Sequence, residues 1–172
     1  MIGIPSQDFY FILKYLNYSQ MDSTYIGRFP DVTGSITTII DVGVGSNPFW
    51  IRDTITEDFR VKSPIDQYAQ GYEMIDEIKE LLLGQGTINI QQVTTDQGND
   101  GIYVNEDKLY VSFQESTEVV DTVNNSIDYI RFVVNNGPTY GGIDENNRHI
   151  FSLVMEMTRD GRTQNGNRKV LE

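Results

Sequence analysis

Residues 49–84 read FWIRDTITEDFRVKSPIDQYAQGYEMIDEIKELLLG, and inside this stretch the apolar period changes. From Phe49 to Val61, Trp50, Arg52 and Thr54 alternate with Ile51, Asp53 and Ile55, a period of two that predicts a strand with a bend. Ser63-Pro64 then predicts a helix start, with Ser as the cap and Pro in the first helical position. Tyr68, Ala69, Tyr72, Ile75, Ile78, Leu81 and Leu82 form one broad apolar face, and Glu73, Asp76, Glu77, Lys79 and Glu80 fall mostly on the other side. Gly84 closes the helix. A strand feeding an amphipathic helix is the unit from which the rest of the fold is read.

Upstream, Ser6 with Asp8 reads as a capped helix start, and Phe9, Ile12, Leu13 and Leu16 carry a short amphipathic helix over 6–17. Residues 18–34 are polar and turn-rich. Ile36 to Val42 is rich in β-branched residues and predicts a strand, ended by a loop over Gly43 to Pro48. Downstream, strands are expected at Thr87–Val93, Leu109–Gln114, Ile127–Val134 and Arg148–Met157, with Val119–Val123 a short strand or a loop. Residues 94–108 are polar, and Asn135-Asn136-Gly137-Pro138 reads as a turn. The economical reading is one α+β domain over 1–157, with two helices on a mostly antiparallel sheet of about four to six strands. Residues 158–172 lack an apolar period and read as a basic tail, mobile or docked on a neighbour.

The length of 172 residues suits one domain with a real core. Aromatic residues make up 11%, which suits both a sheet core and protein–protein surfaces. The net charge of −12 argues against tight binding of a nucleic-acid backbone, since each phosphate contact calls for a Lys or Arg. Charge is unevenly spread: Arg159, Arg162, Arg168 and Lys169 against Asp160 and Glu172 give 158–172 a net +2, so the remainder of the −12 chain carries −14. Cysteine is absent, which removes disulfides, thiolate nucleophiles and Cys-ligated metals. Neither a signal peptide nor an apolar run of membrane-spanning length is visible, so a soluble protein is expected.

Reactive residues are scarce. The single histidine, His149, reads as a strand residue beside Arg148, and one His does not make the usual zinc or iron site. Asp96 to Gly101 has calcium-loop composition without its spacing or its bidentate Glu. Gly43-Val44-Gly45-Ser46-Asn47 follows a strand, but no helix and no lysine follow it, so it reads as a turn. Acid pairs such as Asp41 and Asp53 are the raw material of glycosidase chemistry, though among 25 acids some pair always looks suggestive. No catalytic, cofactor or metal site is assigned, and a structural protein rather than an enzyme is expected.

Asp144 to Asn147 reads as a tight polar turn, with Arg148 entering the last strand close enough to pair with Asp144. The pattern Gly142-x-Asp144-x-x-x-Arg148-x-x-Phe151-Ser152 resembles the tail-terminator and minor capsid (neck) proteins of long-tailed bacteriophages. Ile39-Ile40-Asp41-Val42-Gly43 is similar to that family's early strand ending in Asp-x-Gly. Phe59-Arg60-Val61 leading into Tyr68–Leu83 is similar to its strand–helix pair. With the N-terminal helix the resemblance covers most of the chain, although residues 91–126 are longer than the family pattern. It implies a virion protein made in the host cytoplasm, which forms a ring, usually hexameric, capping the tail tube and joining it to the head through the tail tube and stopper proteins. DNA passes through such a ring without being tightly bound. The residues the resemblance marks as structural or interface positions are Asp41, Gly43, Tyr68, Tyr72, Gly142, Asp144, Arg148, Phe151, Arg159 and Arg162. A stopper or adaptor on the portal side, or more remotely a metal-dependent enzyme built only from carboxylates, are the alternatives.

Overall fold

A computed structural model describes residues 4–46, 52–83, 86–95, 100–105, 109–112 and 120–163. In chain order the elements are α1 (Pro5–Tyr15), a 3-10 turn (Met21–Ser23), β1 (Thr24–Ile26), β2 (Ile36–Ser46), β3 (Arg52–Pro64), α2 (Tyr68–Leu83), β4 (Thr87–Thr95), β5 (Asp100–Asn105), β6 (Leu109–Ser112), β7 (Val120–Ile143) and β8 (Arg148–Thr163). The strands form one sheet in the order β1-β2-β3-β8-β7-β4-β5-β6. Only the β1–β2 pair is parallel. The α+β class with two helices on a mostly antiparallel sheet is therefore observed. The helices pack chiefly on β1, β2, β3, β7 and β8, and the sheet continues past them through β4, β5 and β6.

The period-two reading of β3 explains the layering. Ile55, Phe59 and Val61 are fully buried on one face, and the alternating Thr54, Thr56, Arg60 and Lys62 are not. Phe151, Leu153, Met155 and Met157 of β8 supply the same face next door. Phe9, Ile12 and Leu13 of α1 and Met74, Ile75, Ile78 and Leu82 of α2 close over them into one core. Phe9 meets Phe59, Tyr129 and Phe132 edge-on at centroid distances of 5.8, 5.1 and 6.2 Å. On the opposite face Asp58 accepts from Ser152 Oγ at 2.7 Å and from Arg60 Nε at 2.8 Å.

Several element ends differ from the sequence reading. β3 runs on to Pro64, so Ser63 is a buried strand residue rather than a helix cap, and α2 starts at Tyr68. α2 buries Gly71, Met74, Ile75, Ile78 and Leu82, and leaves Tyr68 and Tyr72 half exposed instead of in the core. β2 continues through the expected loop at Gly43 to Ser46, because a one-residue bulge at Val42 absorbs the irregularity. β5 crosses the segment 94–108, read as polar. The end of β8 moves from Met157 to Thr163, with Thr158, Arg159 and Asp160 paired to Thr54, Asp53 and Arg52. Residues 158–163 are thus strand rather than tail, since β7 pairs with all six and β3 with 158–160, without any apolar period. Residues 164–172 lie outside the described residues.

The expected turn at 135–138 is also strand. Between Ile130 and Ile143, β7 takes thirteen steps while β8 takes nine from Thr158 to His149, and four register shifts absorb the difference. Three of those shifts contain a residue with positive φ: Arg131 at 57°, Gly137 at 110° and Gly142 at 91°. The Gly-rich segment therefore marks bulges, which keep the strand paired while bending it. At Gly137 a Cβ would lie 2.5 Å from the Ser152 carbonyl oxygen, so the pairing itself requires glycine there.

Candidate functional site

Two groups of side chains stand out, one at each end of the helix-covered sheet. The first surrounds the turn that carries the sequence signature. Asp144 Oδ1 accepts from the backbone N–H groups of Asn146 and Arg148 at 2.9 and 3.0 Å, and Asn147 takes the left-handed conformation at φ 55°. Asp144 Oδ2 pairs with Lys62 Nζ at 3.0 Å. The expected side-chain pair with Arg148 is thus replaced: Arg148 gives its backbone, and the cation across the strand takes the carboxylate. Partial desolvation works against ionisation, but Lys62 and the two N–H groups hold the Asp144 carboxyl below its ordinary range. Lys62 also lies 4.4 Å over the Phe29 ring. Asp144, Arg148, Lys62, Phe29, Pro30, Asp31, Ile36 and Asn146 line a cavity of about 210 Å³.

Behind this turn lies an aromatic cluster. Phe151 is fully buried, with Tyr68, Tyr140 and Tyr72 at centroid distances of 5.2, 5.3 and 6.2 Å. His149 Nε2 lies 2.8 Å from the Ile65 carbonyl, which only accepts, so the proton sits on Nε2 and Nδ1 receives the Tyr140 hydroxyl at 2.9 Å. The histidine is fully bonded and has no spare nitrogen for a metal. Gly71 of α2 sits directly on Phe151 and Ser63, close enough that a Cβ would collide with both. Around this cluster Tyr68, Tyr72, Tyr140, Ile65 and Ile143 are each 43–53% exposed.

The second group is acidic, with Asp8 and Glu57 fully buried, and lies under the start of α1. Asp41 accepts from Ser6 N–H at 2.8 Å and Ser6 Oγ at 2.7 Å, so the anion on β2 caps the helix that Ser6 was expected to cap. Tyr129 donates a short hydrogen bond to Asp8. Arg159 reaches Asp53 at 3.2 Å, which places a residue expected in the tail inside the sheet. Burial works against its charge, and the Tyr129 hydroxyl and Asp53 more than offset that. Glu57 is fully buried between them, and neither of its oxygens has a donor in reach. Asp41 stands directly across from it in the β2–β3 register. Two carboxylates are both acceptors, so the contact becomes a hydrogen bond only when Glu57 carries a proton and donates it. Burial first, then that contact and the charges of Asp41 and Asp8, push its pKa up to about 10, with Arg159 opposing.

Of the ten positions marked in the sequence, the structure gathers Tyr68, Tyr72, Gly142, Asp144, Arg148 and Phe151 at one end. Asp41 and Arg159 join the acidic group at the other. Gly43 follows the β2 bulge and meets nothing that its missing side chain would displace. Arg162 pairs in register with Ser126. Asp41 and Asp53, paired in the sequence reading, serve different partners. Sequence reasoning missed Glu57 and Tyr129 and took Asp8 only as a helix-start acid, although Glu57 carried a signal as an acid in phase with Ile55, Phe59 and Val61. Among the described residues no group of three or more His, Asp or Glu is arranged to hold a metal ion. The calcium-like run 96–101 lies mostly outside them. No helix of the described residues is long and apolar enough to cross a membrane. Comparison with protein-family models, curated proteins and solved structures finds no match in any of the three.

Proposed function

We propose that the chain is a structural subunit of the phage head–tail junction, a tail terminator whose ring caps the tail tube and joins it to the head. The observation that carries this reading is the apolar surface around the signature strand. Three tyrosines and two isoleucines are left about half exposed there, over a rigid aromatic base. Exposed aromatic clusters on firm scaffolds are the material of protein interfaces. The sheet adds a second support, since β1 and β6 end it as short strands with an unpaired edge among the described residues. A subunit that offers different patches on different sides makes head-to-tail contacts, and these close into rings at a fixed rotation. The role is mechanical, needs no cofactor and breaks no bond.

The test is direct imaging of the purified protein by negative-stain electron microscopy, alone and mixed with tail tubes. Six-fold rings seated on tube ends are the expected result. Twelve-fold rings that bind the portal instead of the tube would transfer the chain to the adaptor class, and a monomer that ignores both would end the reading.

A further inference from the structure

The outward face of α2 is unlike the rest of the surface. Tyr68, Tyr72, Asp76 and Glu80 recur every fourth residue and so lie in one line along the helix. Both tyrosines are about half exposed, at 45% and 46%, and Glu80 is 70% exposed. Glu73 is exposed beside them, while Lys79 folds onto Asp76 and Glu80 at 2.8 and 3.4 Å. Glu73, Asp76 and Glu80 less Lys79 leave this stripe a net −2. Tyrosine faces next to carboxylates make a surface for guanidinium and ammonium groups, which stack on the rings and pair with the acids.

We propose that this stripe docks residues 164–172 of a second copy of the chain, with Arg168 and Lys169 as the anchoring cations. With Glu172 the segment carries a net +1, opposite in sign to the stripe. For the tyrosine end of the stripe, reach decides that the segment comes from another subunit. Tyr72 packs on Phe151, and Thr163 lies twelve residues farther along β8. β8 pairs with β3 without a register shift from Arg148 to Asp160, so those twelve residues span about 40 Å. From Thr163 to Arg168 the chain extends at most about 18 Å. A subunit's own Arg168 therefore stops well short of its own tyrosines. Docking in trans links the far end of one sheet to the helix of the next, a contact between two different patches as a ring requires. The inference rests on the assembly reading above and names the surface it uses.

The chain has no cysteine, so introduced ones report cleanly. Ala69→Cys protein and differently tagged Val170→Cys protein, which keep both tyrosines and both cations, are mixed and oxidised, and the disulfide-linked heterodimer is measured on a non-reducing gel. Expected is a heterodimer yield several-fold above either variant alone. It should be lost when Asp76→Lys and Glu80→Lys are added to the first protein, and recovered when the second also carries Arg168→Glu and Lys169→Glu. Circular dichroism of each variant checks that the fold is kept. Sedimentation of the wild type separates the two readings. Oligomers without the cross-link overturn this docking and leave the assembly reading standing. A cross-link between wild-type-like species that never exceed dimers supports the docking and removes the ring.

Discussion

Glu57 sits in the apolar phase of β3 with no donor to meet it, so the surroundings choose its protonation state. Its folded pKa of about 10 stands above the ordinary carboxyl value, so between the two the folded protein keeps a proton that the unfolded chain releases. The stability this proton confers is complete below the unfolded pKa and is lost as pH rises through the folded one. The slope is up to about 1.4 kcal/mol per pH unit for one such group. Urea unfolding at pH 5, 7 and 9 should therefore show falling stability. Glu57→Gln, whose amide donates to Asp41 without titrating, should flatten that decline and raise stability at pH 9; an unchanged slope would place the titration elsewhere. Gly71 offers a test of opposite character. Alanine normally favours a helix over glycine by about 1 kcal/mol. Here the added methyl collides with the Phe151 ring and Ser63 Oγ, an overpacking that costs about 1–3 kcal/mol. Gly71→Ala should lower the melting temperature, and a rise would mean that the helix seat yields.

At the scale of elements, α1 is joined to the sheet by its apolar face and by Asp41. Asp41→Ala removes two charge-assisted bonds to Ser6 and the anion at the helix start, a loss of about 1–3 kcal/mol. Amide exchange over Pro5–Tyr15 should quicken more than exchange in α2, and the same variant should narrow the pH range over which Glu57 holds its proton. Equal quickening in both helices would show that the tie is global. The helices, β3 and the alternating part of β8 were legible in the sequence, because their burial follows a simple period. What was not legible is what long-range pairing imposes. Arg159 enters the sheet because Asp53 and Tyr129 flank it, not because its own neighbours are apolar. Gly137 and Gly142 look like turn residues and serve as bulges, since a paired strand on the other side holds them extended. Ser63-Pro64 carries the local marks of a helix start and is overruled by pairing with His149 and Arg148. The signature turn was read correctly as a turn over Asp144 to Asn147, and the structure places Asn147 in its left-handed position. Its ion partner, Lys62, is 82 residues away and had no local sign.

For the whole molecule, charge distribution decides how the chain treats a polyanion. The net −12 leaves no surplus of cations to replace the counterions that duplex DNA releases on binding. Four of the described cations are also committed: Lys62 to Asp144, Arg60 to Asp58, Arg159 to Asp53 and Lys79 to its helix neighbours. A wall of this composition facing a channel would repel phosphates and let DNA pass without adhering, which is what a junction ring needs. The salt dependence separates that account from simple weak binding. A protein that grips phosphates binds more tightly as salt is lowered, because counterion release then yields more. An acidic body does the reverse, since its repulsion reaches farther when the screening length grows to about 30 Å at 0.01 M salt. Fluorescence anisotropy of a labelled duplex should accordingly stay flat as protein is added at physiological salt, and stay flat in low salt too. Saturable binding that appears at low salt would expose a basic surface among residues 164–172 or elsewhere, and would count against an acidic channel wall.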